Sequence, residues 1–191
     1  SVSPGQTIVF WWRHDQPLQL TTSLQKGYSV VLCPRLPFYF DFVQDSAHRW
    51  GRKWGKEKLF NQLQRVYDFS IADYSIPAAQ WPQVLGVQAN VWTEYIQTPA
   101  KVEYMILPRM FALSEIAWSQ VARKDLKNFS EERIPVHLAR LDKAGTNYWV
   151  PAPLGQSDKT LNGEDFNVEL KAPLPGAKIY YTLDLSRPSE N

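Results

Sequence analysis

The chain has 191 residues, of which 44% are hydrophobic and 21% are charged, a composition that excludes a disordered or membrane-spanning protein. Lys and Arg number 21 against 19 Asp and Glu, and the charges are scattered, so we expect no nucleic-acid and no membrane partner. The one cysteine, Cys33, excludes an internal disulfide and a cysteine-based metal cluster. It lies in an apolar run, which predicts a buried, unreactive thiol.

Aromatic residues make up 14% of the chain, with eight Trp, nine Tyr and nine Phe. Several of them stand beside polar residues and not inside apolar runs. Aromatic faces flanked by carboxylates suit carbohydrate, because a sugar has apolar C–H faces and hydroxyls that need acceptors. The alternative is that the rings are core residues, and for most of them we expect that role.

Two apolar runs with a helical segment between them predict a βαβ unit near the start of the chain. Residues 7–12 predict a strand buried on both faces. Residues 18–26 predict a helix that ends at Gly27, and residues 28–33 predict the next buried strand. Strand, helix and strand in so short a segment imply parallel strands joined by a right-handed crossover.

The same pattern continues through the middle of the chain. Residues 38–42 extend past the second strand, residues 59–67 have helical spacing, and residues 84–92 predict a third buried strand. Thr98 is a suitable N-cap for the helix that follows, since Pro99 fits the first helical position.

Apolar residues recur at helical spacing from residue 102 to residue 117, and Pro108 within this stretch predicts a kink or a split into two helices. Ser130 predicts the cap of a last helix, which ends at Gly145. Residues 150–163 are rich in Pro, Gly and Ser, which is typical of a linker. Beyond the linker, short strands are predicted at 166–170 and 178–183.

An aromatic residue stands at or just past the end of each of the three predicted strands, namely Trp12, Tyr39 and Trp92. Asp41 and Glu94 each stand two residues after an aromatic, which in extended backbone turns both side chains to the same side. Carboxyl ends of parallel strands share one edge, where such folds hold ligands. We therefore predict one site from these five residues. The alternative, with the tryptophans as core plugs and the acids as loop residues, stays open.

Other polar residues are weaker candidates. His14, His48 and His137 share no metal-ligand spacing, so no metal site is predicted. No nucleotide-binding or nucleophile-elbow motif occurs, and no cofactor is predicted. Arg109 and Glu115 fall within a helix, which favours an internal ion pair or a helix-end contact over catalysis.

The stretch GVQANVWTEYI, followed by EYMILPRMFALSEIAWS, resembles the C-terminal barrel segment of the glycoside hydrolase family 20 β-N-acetylhexosaminidases. VFWWR, VVLCP with YFDF, and HLARLDKAGTNYWVP occur in the matching order, so the resemblance covers roughly residues 7–151. KIYYTLDLSRPS is similar to the start of the small β-sandwich that follows the barrel in many of these enzymes. Leu185 stands there in place of the usual glycine.

This resemblance implies an α/β fold of the (β/α)₈ TIM-barrel type and exo-acting removal of terminal N-acetylhexosamine from glycans with retention. The substrate's own acetamido group is the nucleophile in this family. Tyr39 would orient that group, Trp12 and Trp92 would wall the sugar pocket, and Asp41 and Glu94 would accept hydrogen bonds from sugar hydroxyls. A periplasmic, secreted or lysosome-like compartment follows from the family alone.

The catalytic Asp-Glu pair of the family belongs upstream of the VFWWR segment, and no such dipeptide precedes Trp12. The one Glu-Asp pair, Glu164 and Asp165, lies at the end of the predicted linker. A complete barrel takes about 250 residues. We therefore interpret residues 1–150 as the last three βα units, 151–163 as a linker and 164–191 as the start of the β-sandwich.

On this interpretation the isolated chain is expected to be inactive, and its open sheet is expected to promote self-association. Two other hypotheses stay open. One is a carbohydrate-binding module without hydrolysis, and the other is a structural α/β domain without a sugar site. Glucosamine- and galactosamine-type sugars are not distinguished by the sequence.

Overall fold

The computed structural model describes residues 2–45, 48, 51–55, 59–150, 153, 155, 167–172, 177–184, 186 and 188. Within these ranges three strands form one parallel sheet in the order β1-β2-β3. The strands are β1 (Ile8–Trp11), β2 (Ser29–Leu32) and β3 (Val84–Val87). The predicted βαβ arrangement with parallel strands is therefore present, and each strand is shorter than predicted.

Six α-helices accompany the sheet in the described ranges: α1 (Pro17–Gln25), α2 (Arg35–Phe38), α3 (Leu63–Asp68), α4 (Pro99–Ile106), α5 (Arg109–Trp118) and α6 (Ile134–Ala144). A π-helical turn at Asn128–Arg133 leads into α6. Short 3₁₀ turns lie at Pro4–Gln6, Ile71–Tyr74, Ala78–Gln83, Thr93–Tyr95 and Val121–Arg123. None of the described helices combines the length and apolarity needed to cross a bilayer.

The helices cover one face of the sheet and build two adjoining apolar clusters. The first cluster joins the sheet to α1 and contains Trp11, Leu20, Leu24, Val30, Leu32 and Ile76. The second lies among the later helices and contains Phe38, Phe40, Val66, Tyr67, Ala112, Leu113, Phe129, Ile134 and Leu138. The burial of apolar side chains on this helix-covered face makes the main contribution to the stability of the fold.

The opposite face of the sheet is open, so the prediction of a strand buried on both faces is wrong for β1, and the prediction of a buried strand is wrong for β3. Ile8 and Phe10 are each 50% exposed. Leu85 lies at a register shift between β2 and β3 and is also exposed. Alternate residues of a strand point to opposite faces, and no described segment covers this second face, which we call the open face.

Two local predictions for the fourth and fifth helices are confirmed. Thr98 caps α4, since its hydroxyl oxygen accepts a hydrogen bond from the backbone N–H of Lys101 at 3.2 Å. The predicted helix is split at Pro108, which lies between the end of α4 and the start of α5. The ring of a proline and its missing N–H interrupt the helical ladder.

The beginning of the last helical segment was not predicted correctly. Ser130 lies inside the π-helical turn, where its hydroxyl donates to the carbonyl of Leu126 at 2.7 Å. The capping contact is made instead by Asp125, whose carboxylate accepts from the N–H of Asn128 at 3.0 Å. The end is as predicted, because Gly145 follows α6 with a φ of 66°.

The C-terminal predictions fall largely outside the described residues. Residues 177–184 are described and contain no strand, so the strand predicted at 178–183 is wrong here, and none forms at 167–170 either. A strand needs a partner to pair its backbone groups, and a short alternating pattern does not supply one. The linker at 151–163 and the sandwich at 164–191 stay predictions.

Candidate functional site

Backbone hydrogen bonds continue past the ends of the three strands and hold the following segments side by side. The N–H of Cys33 donates to the carbonyl of Trp11, and that of Gln88 to the carbonyl of Leu32, both at 2.9 Å. Farther along, Tyr39 and Asn90 form an isolated parallel bridge. The carboxyl ends of the strands therefore open onto one shared edge.

A cavity of about 610 Å³ lies at this edge. Its lining residues are Phe10, Trp12, Cys33, Arg35, Tyr39, Arg52, Gln88, Asn90, Trp92 and Glu94. Four of the five residues predicted for the site are among them, and Asp41 is not. The structure thus brings together one aromatic from each strand and the carboxylate of Glu94.

The three aromatic side chains line the cavity with their rings partly accessible. Trp12 is 42% and Trp92 is 51% exposed, so neither is the core plug of the alternative interpretation. The rings of Tyr39 and Trp92 lie with centroids 6.2 Å apart at 48°. The guanidinium of Arg35 lies 5.5 Å from the centroid of the Trp12 ring, a contact that helps to fix this ring.

Asp41 departs from the prediction that its side chain shares a side with Tyr39. The chain makes a turn here, in which the N–H of Phe42 donates to the carbonyl of Tyr39 at 3.3 Å. The alternation rule holds for extended backbone only, so it fails at this turn. Asp41 is 1% exposed and lies behind the cavity wall. Its role as a hydroxyl acceptor stays a prediction.

Arg52 is a site residue that sequence reasoning missed. Its Nη2 donates to Glu94 Oε1 at 2.8 Å, and its Nε lies 3.3 Å from Asp41 Oδ2. In the sequence it belongs to a basic, glycine-containing loop, which is the usual pattern of a solvated surface. Only the fold shows that this loop returns to the strand ends.

Arg109 is fully buried beneath the segment that carries Tyr39 and Asp41. Its guanidinium donates to the carbonyls of Phe40 at 2.6 Å and Phe42 at 3.1 Å. It also donates to the carbonyls of Asn61, at 2.9 Å, and Met105. Because Met105 lies in the last turn of α4, this hydrogen bond is a helix-end contact, one of the two kinds predicted for Arg109. The other predicted kind, an internal ion pair, is formed by Glu115 with Arg133, through two hydrogen bonds of 2.7 and 2.9 Å.

Asn61 fixes the same segment from another side. Its amide nitrogen donates to the carbonyls of Arg35 and Tyr39, each at 2.8 Å. Its amide oxygen accepts from the indole N–H of Trp54 at 2.9 Å. Together with Arg109, this buried amide ties down the backbone on both sides of Tyr39 and Asp41, which limits the movement of the cavity wall.

Burial controls the protonation of the groups at the cavity. Burial raises the pKa of Asp41, while backbone amides and the positive charge of Arg52 oppose the shift. Burial likewise raises the pKa of the Tyr39 phenol, which therefore stays protonated at neutral pH and able to donate a hydrogen bond. Burial lowers the pKa of Arg109 to about 9, so this guanidinium stays a cation at neutral pH.

Cys33 and the three histidines have structural surroundings. Burial raises the pKa of the Cys33 thiol, as expected for an unreactive cysteine. His48 stacks on Trp149 with centroids 4.5 Å apart, and His14 and His137 also contact aromatic rings. No group of three or more His, Cys, Asp or Glu in the described ranges is placed to hold a metal ion.

The cavity can bind a small amphipathic ring but offers little for acid-base chemistry. Its aromatic walls suit the apolar faces of a sugar, and Glu94, Asn90, Gln88 and Tyr39 supply polar atoms for hydroxyls. Glu94 is the one carboxylate among the described residues that line the cavity, and it is hydrogen-bonded to Arg52. Within the part of the chain that the structure describes, no second acid faces it across the cavity.

Comparisons with known proteins agree with this architecture. The family model "Glycosyl hydrolase family 20, catalytic domain" matches residues 1–121. A β-hexosaminidase of Porphyromonas gingivalis is 34% identical over 192 residues, covering 98% of this chain and 24% of the relative. A β-N-acetylhexosaminidase of Cellulomonas fimi is 28% identical over 152 residues, covering 80% of this chain and 29% of the relative.

Among solved structures, the chain is similar to a family 20 exo-β-N-acetylglucosaminidase of Vibrio harveyi in complex with N-acetylglucosamine. The TM-score is 0.66 at 28% identity, and the match covers 77% of this chain and 22% of that one. The chain thus spans roughly a quarter of the length of these relatives. On the strength of the family match and of the parallel α/β architecture, the chain belongs to glycosyl hydrolase family 20.

Proposed function

We propose that this chain forms the sugar-binding side of a β-N-acetylhexosaminidase that removes terminal N-acetylhexosamine from glycans. The observation that carries the proposal is the meeting of Trp12, Tyr39, Trp92 and Glu94 around one cavity at the carboxyl ends of parallel strands. In barrels of this type, sites lie at that end of the strands. The relatives named as hexosaminidases support the same substrate class.

Each lining group has a role that its chemistry permits. The two indoles provide apolar walls for the sugar ring, and Glu94 accepts hydrogen bonds from its hydroxyls. Tyr39 donates its phenolic hydrogen bond to the acetamido oxygen. In the substrate-assisted route of this family, that oxygen attacks the anomeric carbon, and a later attack by water restores the acetamido group with retention. This route needs no cofactor.

The proton donor and the acid that orients the acetamido nitrogen are proposed to lie on a part of the complete protein other than this chain. Glu94 is poorly placed to protonate a leaving group, because its Oε1 already accepts a hydrogen bond from the Arg52 guanidinium. The chain would supply three of the eight βα units of a TIM barrel. An extracytoplasmic compartment is proposed from the glycan substrate.

Sugar binding by the 191-residue chain tests the binding part of the proposal. N-Acetylglucosamine should change the tryptophan fluorescence of the chain in a saturable manner, and Trp92→Ala should abolish this saturable response. Trp118→Ala is the matched control, because Trp118 is 89% exposed and lies outside the cavity. Equal binding by the wild type and the Trp92 variant would contradict the proposed site.

Hydrolysis tests the catalytic part. The isolated chain should release no aryl group from an aryl N-acetyl-β-glucosaminide, whereas the complete protein that contains it should do so. Turnover by the isolated chain that disappears in Glu94→Gln would show that the missing proton donor is Glu94 after all.

A non-catalytic carbohydrate-binding module is the second candidate, favoured by the lack of an unpaired acid among the described lining residues. It predicts saturable sugar binding by the chain and no hydrolysis by the complete protein. Hydrolysis by the complete protein that is weakened by Trp92→Ala would exclude it.

A further inference from the structure

Arg52 is fixed beside Asp41 by its backbone. The N–H of Arg52 donates to the carbonyl of Asp41, and the N–H of Val43 donates to the carbonyl of Arg52, both at 2.9 Å. These two bonds form the parallel bridge between Phe42 and Arg52. The residue therefore has a defined place in the cavity wall, unlike an arginine on a free loop.

Gly51 allows this close approach. Its φ is 148°, a backbone conformation that residues with a side chain rarely adopt. A Cβ at this position would lie 2.9 Å from Met105 Cε and 3.1 Å from the carbonyl oxygen of Asp41. A glycine is thus needed for the loop to pack against the segment that carries Asp41, and the packing aims Arg52 at the cavity.

The guanidinium links two acids from different segments and different environments. The Asp41 side chain is 2% exposed, that of Glu94 is 55% exposed, and that of Arg52 is 40% exposed. Among the described residues, no other cation lies within ion-pair distance of either acid. Arg109 lies behind Asp41 and acts on it at longer range.

Without Arg52, Asp41 and Glu94 would be two negative charges in the same wall of the cavity with no cation between them. Neither oxygen of Asp41 has a hydrogen bond of ordinary geometry in the described structure, and its charge is stabilised by nearby backbone amides and by the positive charge of Arg52. From the described residues, Glu94 receives a hydrogen bond on Oε1 alone. Its other oxygen, Oε2, is left to accept from a ligand in the cavity.

We propose that Arg52 is a positioning residue, which holds Asp41 and Glu94 together so that the Glu94 carboxylate is presented to the sugar hydroxyls as a fixed acceptor. The inference rests on the proposed function for its sugar ligand, but the Arg52–Asp41 link is independent of that function. Arg52 acts here through the two acids and not through a contact of its own with the substrate.

The first test compares Arg52→Gln with Arg133→Gln in the 191-residue chain. Arg133 is also 40% exposed and also pairs with a glutamate, but it lies outside the cavity. Arg52→Gln should weaken N-acetylglucosamine binding about tenfold, the effect of one charge-assisted hydrogen bond, and Arg133→Gln should leave it unchanged. Arg52→Lys keeps the charge without the two-point geometry and should restore only part of the affinity.

The second test needs no sugar. The carboxyl carbon of Asp41, followed by NMR against pH, should titrate at higher pH in Arg52→Gln than in the wild type, since a neighbouring cation has been removed. Arg52→Lys should titrate close to the wild type. The groups that act on Asp41 in this experiment are Arg52, Glu94 and Arg109.

The two tests separate the proposals. A wild-type chain that binds no sugar would count against the proposed function, while the titration would still decide the role of Arg52. An unchanged Asp41 titration in a folded Arg52→Gln chain, judged by circular dichroism, would overturn the inference. If Arg52→Gln does not fold, unchanged sugar affinity in Arg52→Lys would overturn it.

Discussion

The two faces of the small sheet have similar apolar sequences but different surroundings. On the helix-covered face, Leu20 of α1 and Val30 of β2 are fully buried. On the open face, Ile8 and Phe10 of β1 are half exposed. A strand of a closed barrel is apolar on both sides, so the pattern alone does not show which side is covered. The candidate site lies at the rim where the two faces meet.

The largest effect is expected from the buried guanidinium behind this rim. Arg109→Met should lower the free energy of unfolding by about 3–5 kcal/mol, because it leaves buried carbonyls without their donor. Arg133→Met, which breaks a partly buried ion pair, should cost less, about 1–2 kcal/mol. Denaturant unfolding of both variants measures the difference. Equal losses would show that the hydrogen bonds from Arg109 to the backbone around Tyr39 and Asp41 add no special stability.

A pair of identical substitutions compares the faces directly. Leu20→Ala on the helix-covered face should cost about 2–5 kcal/mol of unfolding free energy through lost burial and a cavity. Leu85→Ala, at a site that is 55% exposed, should change it by less than about 0.5 kcal/mol. Thermal or urea unfolding gives both values. A large loss for Leu85→Ala in a dilute monomer would mean that the open face is covered after all.

Two carboxylates should give opposite pH dependences. Burial raises the pKa of folded Asp41, so its ionisation costs stability as pH rises from about 4, the unfolded value, through the folded pKa. Hydrogen bonding to Arg133 lowers the pKa of Glu115, so its stabilising contribution is complete above the unfolded pKa and is lost as pH falls through the folded one.

Asp41→Asn should therefore gain stability relative to the wild type as pH rises from about 4 to 7. Glu115→Gln should be less stable than the wild type at pH about 7, and the difference should vanish under acid conditions. Urea unfolding at several pH values measures both trends. Parallel trends for the two variants would contradict the expected difference in pH dependence between the buried acid Asp41 and the paired acid Glu115.

The smallest effect on folding is expected on the open face, where self-association is proposed instead. Phe10→Ser should leave the unfolding free energy nearly unchanged, within about 0.5 kcal/mol at an exposed position, and should shift the chain toward monomer in sedimentation. Thr22→Ser, at an exposed position of α1, is the control and should not alter the association. A wild-type chain that stays monomeric at high concentration would contradict the proposal.

Features that depend on local chemistry were predicted from sequence. Thr98 as a cap, the helix split at Pro108 and the stop at Gly145 each follow from the backbone preferences of one or two residues. The meeting of Trp12, Tyr39 and Trp92 at one edge also followed, because parallel strands must align their carboxyl ends. Ser130 was misplaced, since Asp125 competes for the same capping role and local pattern does not choose between them.

The sequence by itself determined the order of strands and helices, the family and the aromatic side of the cavity, because these are set by periodicity, turn residues and motifs along the chain. Only the tertiary structure decided that Asp41 turns inward, that Arg52 joins it to Glu94, and that Arg109 holds the backbone around it. Those contacts connect residues 11 to 69 positions apart. Their partners are chosen by how loops and helices pack in space, and no local pattern in the chain encodes that choice.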